Sequence, residues 1–344
     1  MPAPDDARRP FPSRRDLLVL ACSAALSPDL AACSRTPSAA TAAAAVDPAV
    51  LRAVATARTL RLGASSLAAS ADSATRRALF TRLADDHRAH LDALAAPLAS
   101  PAPTGTSPAE AMSAARLANA ERQGAHAAII DTARTSPAVA VLLARIAAVR
   151  AVHADLLDPR AAATPTAAGD GELRADGSPA PSPSRPQPSR STGSSPGPNP
   201  DPGDGTTLSA AARDALTALV AGEHAAEFGY GVVTARLTGA EAQRARTAWR
   251  WHEGRGDLYA AALHRAGGLV PAALPAYDVG TAGTPGAGAA AGLALAGRIE
   301  KGMLATLLAA VAQVEDPWRT ILARDAAEAA RRLDHWAGPL PALP

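Results

Sequence analysis

From Pro159 to Thr207 the chain is saturated with Pro, Gly, Ser and Asp, in runs such as Pro181-Ser182-Pro183-Ser184 and Pro196-Gly197-Pro198. Such a composition cannot bury enough apolar surface to offset the entropy of ordering the chain, so the stretch reads as a long disordered linker. Any packed core must then come from the residues on either side. There Ala dominates, with Leu and Arg, all strong helix formers. The apolar spacing predicts helices near 47–70, 74–97, 107–135 and 137–158, and again near 208–237, 239–267, 286–314 and 316–336. Asp316-Pro317 reads as an N-cap followed by proline at the first helical position. In each half the connection between the second and third helices is the longest. Two helical hairpins joined by a longer crossover have ferritin-like connectivity. The expected fold class is all-α: two ferritin-like four-helix bundles, at 47–158 and 208–338, joined by the linker at 159–207.

The first 33 residues read as an export signal. Ser13-Arg14-Arg15-Asp16-Leu17-Leu18 is similar to a twin-arginine motif, and an apolar run from Leu17 to Leu26 follows, too short to span a bilayer. Leu30-Ala31-Ala32-Cys33 looks like a lipobox, in which Cys33 would carry the lipid. The competing reading is an ordinary secretory signal with an incidental cysteine. With cleavage before Cys33, Cys22 leaves with the signal, and residues 34–46 form a short tether. The expected location is the outer face of the cytoplasmic membrane, with the lipid on Cys33 as the membrane contact.

Turned at about 100° per residue, the helices place acids and histidines among their apolar stripes. In the first half, Leu79, Leu83, Leu91 and Leu94 share a face with Asp86, His87 and His90; Glu121 lies beside Leu117, and His153 is bracketed by Ile146, Val149 and Leu156. In the second half, Glu223 and Glu227 interrupt the stripe of Leu216, Leu219, Val220 and Tyr230. Glu300 lies among Leu293, Leu304 and Leu307, Asp325 among Trp318, Leu322 and Leu333, and His252 shares a face with Arg255 and Tyr259. Buried charges must be paired, protonated or metal-bound. One reading is therefore a transition-metal site at His87, His90, Glu121 and His153, with a second at Glu223, Glu227, His252, Glu300 and Asp325. The other is a salt-bridged core, in which Arg255 neutralises Glu223 or Glu300.

The segments Gly222-Glu223-His224-Ala225-Ala226, Tyr230-Gly231-Val232-Val233, Pro275-Ala276-Tyr277-Asp278 and Arg298-Ile299-Glu300, together with His252, carry a resemblance. Over about 130 residues the second half resembles an uncharacterised ferritin-like domain of lipoproteins from GC-rich Gram-positive (actinobacterial) bacteria. Asp86-His87-Arg88-Ala89-His90-Leu91 is similar to the helical segment that often precedes it. The resemblance implies a fold and a compartment, and no reaction. Against di-iron ferritins the chain departs at the Glu-x-x-His motifs. Glu253 is followed by Gly256, Glu328 by Arg331, Arg150 precedes His153, and His87-x-x-His90 stands in the second helix.

A net charge of +2 with interspersed signs gives no clustered basic face, which argues against nucleic acid. No phosphate-binding glycine loop, zinc cysteine pair, His-Glu-x-x-His or Gly-x-Ser-x-Gly motif is present, and no residue is assigned a catalytic role. The expected function is a non-enzymatic binding or interaction module of the cell envelope, its partner unspecified. The alternative is a metal-binding or redox protein.

Overall fold

The computed structural model describes residues 47–96, 112–162 and 207–339. The expected export signal with Arg14, Arg15 and Cys33, the expected tether, and residues 163–206 of the expected linker lie outside the described residues. Among the described residues the chain is all-helical, with no strand, and no helix is long and apolar enough to cross a membrane.

Eight long helices follow in order: α1 Pro48–Ala69, α2 Ala74–Ala95, α3 Ala114–Asp131, α4 Pro137–Leu157, α5 Ala210–Arg236, α6 Gly239–Arg265, α7 Ala289–Val311 and α8 Trp318–Ala337. The starts of α1 to α5 are set by side chains that accept otherwise orphaned N–H groups. Asp47 accepts from Ala49 at 2.8 Å ahead of Pro48, and Ser113 and Ser209 accept from Arg116 and Ala212 at 3.2 and 3.1 Å.

Several helix ends differ from the sequence expectation, among them α3 ending at Asp131 rather than 135 and α7 at Val311 rather than 314; at three starts the cause is visible. Helix α3 starts after Ser113, not at 107, because the Ser113 hydroxyl caps it there. Helix α7 starts at Ala289, not 286, because Gly286 takes a left-handed φ of 78° that cannot continue a helix. Asp316 is not the N-cap of α8. Its carboxylate accepts the Thr320 hydroxyl at 2.7 Å, and the helix begins at Trp318. One further helical turn, Pro159–Ala162, extends into the stretch expected to be linker.

In the first half α1 packs on α2 and α3, and α4 on α3 and α2; in the second, α5 packs on α6 and α7, and α7 on α8. Between the halves, α4 lies along α8 and also touches α7. The α4 sequence, PAVAVLLARIAAVRAVHADLL, is apolar almost all round, as a helix must be when neighbours cover every side. Ala148 and Val152 of α4 meet Ala330 of α8, and Leu156 and Leu304 pack against them. At the edges of this contact, Arg319 donates to the Thr135 carbonyl at 2.9 Å, and Arg331 pairs with Asp155 at 3.2 Å. One apolar core thus runs from Leu143 and Ile146 in the first half to Leu322 and Ala326 in the second.

The α4–α8 contact depends on small side chains. Ala330→Leu inserts three carbons where Ala330 is fully buried. It is expected to destabilise the protein by about 1–3 kcal/mol, read as a lower denaturant midpoint in equilibrium unfolding.

Candidate functional site

Helices α2, α3 and α4 bring three buried side chains to one point in the first half. His87 Nε2 lies 2.7 Å from Glu121 Oε1, and His153 Nδ1 lies 3.3 Å from the same oxygen. One nitrogen or oxygen from each of His87, Glu121 and His153 falls within 4.8 Å of the others, the only such buried trio among the described residues. The far side of the His153 ring meets Asp86 Oδ2 at 3.0 Å. His90, one turn beyond His87, is buried, with its ring centre 5.4 Å from that of His87. Arg150, one turn before His153, is also buried, and donates to the carbonyls of Gly124 at 3.2 Å and Ala53 at 3.3 Å. Gly124 allows this close approach, since a Cβ would lie 3.0 Å from Thr56 Cγ2 and 3.3 Å from the Arg150 guanidinium.

Several polar atoms of this cluster have no hydrogen-bond partner among the described residues: His87 Nδ1, both ring nitrogens of His90, Glu121 Oε2 and Arg150 Nε. Burial pushes the Glu121 carboxyl up, but the hydrogen bonds from His153 and His87 outweigh it and hold the group at about 2. Burial lowers His87, with Glu121 only partly compensating, and lowers His90 well below the usual imidazole range. His153 moves the other way, because Asp86 and Glu121 together overcome its desolvation. Burial brings the Arg150 guanidinium down to about 10.

The second half gathers more charge, arranged differently. His252 Nδ1 lies 2.6 Å from Glu223 Oε2, and His252 Nε2 lies 3.1 Å from Glu300 Oε1. Glu300 Oε1 also accepts from the Tyr230 hydroxyl at 2.5 Å and from Arg332 Nε at 2.8 Å. The Arg332 guanidinium sits 3.7 Å from the Trp251 ring centre, a cation–π contact. Asp325 forms a separate knot, accepting the Tyr259 hydroxyl at 2.5 Å and pairing with Arg255 at 3.1 Å. Two carboxylates at opposite ends of one imidazole cannot converge on a shared ion. With His252 protonated, Glu223, Glu300 and Asp325 are matched by His252, Arg332 and Arg255, as a salt-bridged core requires. Burial opposes the charge on Glu300, but Arg332 and His252 hold its carboxyl at about 2. Burial likewise opposes the His252 cation, yet Glu223 and Glu300 raise its pKa above the ordinary imidazole value.

The structure therefore brings His87, Glu121 and His153 together with His90 alongside, and brings Glu223, His252 and Glu300 into one network. Asp325 stands apart from that network. Glu227 is only half-buried, near Glu253 and Asp257, and makes no hydrogen bond to that network. Arg255 neutralises Asp325 rather than Glu223 or Glu300, because Arg332 already holds Glu300. Gly256 leaves room for the α5 acids. A Cβ there would lie 3.1 Å from Glu227 Oε1 and 3.3 Å from Glu223 Cβ. Sequence reasoning missed Arg332 and the buried role of Arg150, although Arg332 falls seven residues after Asp325 on the buried stripe of α8.

A domain of unknown function, DUF4439, is found at residues 215–344, covering α5 to α8 apart from the first turn of α5. No curated protein and no solved structure matches the chain.

Glu300→Gln leaves His252 and Arg332 without their shared counter-charge. It is expected to cost about 3–5 kcal/mol near neutral pH. Because the folded carboxyl sits at about 2, below its ordinary 4.5, this contribution is present above about pH 4.5 and fades as the pH falls towards 2. Denaturant unfolding of wild type and variant at about pH 7 and about pH 3 should show the gap narrowing in acid.

Proposed function

We propose that this protein is a non-enzymatic binding module of the cell envelope, whose cargo is a single transition-metal ion held in the first half by His87, Glu121 and His153. The observation that carries the reading is the convergence of two imidazoles and one carboxylate, all buried, on one point. Isolated buried polar groups are costly, and Glu121 Oε2 and His87 Nδ1 lack hydrogen-bond partners among the described residues. His153 has the setting common to metal-bound imidazoles. Its Nε2 meets the Asp86 carboxylate, leaving Nδ1 turned towards the other two ligands. Arg150 stands where a second Glu-x-x-His carboxylate would serve a di-metal centre, and its fixed positive charge limits the site to one ion. The balanced charges of the second half serve stability in this reading.

The proposal keeps the ferritin-like architecture for each half, supported by the helix pairings and by the long connection between α6 and α7. It also keeps the route to the envelope. Arg14 and Arg15 in the twin-arginine-like segment and Cys33 in the lipobox-like segment support export and lipid anchoring at the outer face of the cytoplasmic membrane.

Elemental analysis of protein purified from its native envelope should find close to one equivalent of a first-row transition metal; a mere trace would sink the reading. In vitro, Zn(II) at a hundred times its dissociation constant is expected to stabilise wild type by about 2.7 kcal/mol. Glu121→Gln should lose that stabilisation. Separately, Cys33→Ala should move the protein from the membrane fraction to the soluble exported fraction, and a variant that still pellets with membranes would contradict the anchor.

A further inference from the structure

His90 is the buried group that the three-ligand description leaves unused. It sits on α2, three residues after His87 and on the same face, and it is almost completely buried. Neither of its ring nitrogens has a hydrogen-bond partner among the described residues. A buried imidazole gains nothing from such a position unless a ligand or solvent meets it, because its desolvation is uncompensated.

Ring spacing shows what could meet it. Two imidazoles bound to one tetrahedral ion, each through a metal–nitrogen bond of about 2 Å, have ring centres about 5 Å apart. His87 and His153 are 5.3 Å apart with rings near perpendicular, and His87 and His90 are 5.4 Å apart at 65°. His87 thus stands at about the same separation from both neighbours; His90 lies outside the trio whose ligand atoms fall within 4.8 Å of one another, so a fourth bond requires its ring to turn on loading.

Resting on the metal-binding reading above, we propose that His90 is the fourth ligand. The result is a closed shell of three imidazoles and one carboxylate for a zinc-class divalent cation. Sites with four protein ligands hold their ion structurally, whereas catalytic zinc sites keep a position open for water or substrate. The donor set favours zinc, cobalt or nickel over calcium and magnesium, which require mostly oxygen ligands. It also disfavours copper(I), since both cysteines lie at positions 22 and 33 and none is in the cluster. On loading, the ion takes the places of the protons facing Glu121 Oε1: the Nδ1 proton of a protonated His153 passes to solvent, and a neutral His87 bound through Nε2 carries its single proton on Nδ1.

The test is a titration of the full-length protein with Co(II), whose visible bands report coordination number, followed by competition with Zn(II) for affinity. Wild type should give the intense spectrum of a tetrahedral ion. His90→Ala, and His90→Phe, which keeps the ring volume in case the smaller residue disrupts packing, should weaken Zn(II) binding by about 10–100-fold. Both should shift the Co(II) bands to the weaker pattern of a five- or six-coordinate ion carrying water. His126→Ala, an exposed histidine on α3, should change neither. If both His90 variants bind with unchanged affinity and spectrum, the site is an open three-ligand one and this inference falls while the metal reading stands. If wild type takes up neither ion, the metal reading falls, and the fourth ligand with it.

Discussion

Two alanine-rich surfaces, one on α4 and one on α8, meet across the middle of the described chain, and the rest of the structure depends on their fit. Ala148 of α4 meets Ala330 of α8 there, within two helices in which alanine is the commonest buried residue and presents almost no side-chain bulk. Burying an alanine costs little side-chain entropy, so a core of this kind forms from modest apolar area per residue. The chain has few aromatic residues with which to build one differently. Close packing on every side of α4 also fixes what that helix carries inward. Arg150 and His153 have no route to solvent, and their partners must be supplied from α1, α2 and α3.

The two halves answer the same electrostatic problem in different ways. The second distributes its acids so that each meets a cation or a phenol, and Glu300 alone accepts from His252, Tyr230 and Arg332. Both leave buried oxygens without hydrogen-bond partners among the described residues, Glu121 Oε2 in the first half and Glu223 Oε1 and Glu300 Oε2 in the second, but the buried guanidinium of the first half, Arg150, donates to backbone carbonyls. Burial alone does not separate the two clusters, since the acids and imidazoles at the centre of each are buried. The distinction lies in direction. Ligand atoms converge in the first half, and acids sit at opposite ends of one ring in the second.

Much of the architecture was legible in the amino-acid sequence. Helix positions followed from apolar spacing, and the breaks from Ser136-Pro137 and Thr238-Gly239. The inward placement of His87, Glu121, His153, Glu223, His252 and Glu300 followed from their position within those stripes. Helix ends were less legible where composition gave no signal. The run of alanine and glycine before Ala289 suits either state, and only the left-handed Gly286 decides it. The identity of the counter-ions was hidden for another reason. Arginine is so frequent in this chain that Arg332 looked like background, and its role depends on Trp251 and Glu300, which are far from it in sequence. Glu227 misled because one helical face is wider than the strip its neighbours cover. The packing of α4 on α8 was not readable at all, since alanines suit a surface and a close contact equally well.

The shared core changes what the stretch between residues 162 and 207 is required to do. Because α4 and α8 already hold the halves together, the intervening chain need not position them, and its length is close to neutral for stability. Loop closure cost rises only slowly with length, by about 0.6 kcal/mol for each doubling. A change in the length of that stretch is therefore expected to alter stability little. The alanines of α4 and α8 are the opposite case, since a single added methyl at the contact is felt on both sides. The protein is thus free to vary where it is long and constrained where its side chains are smallest.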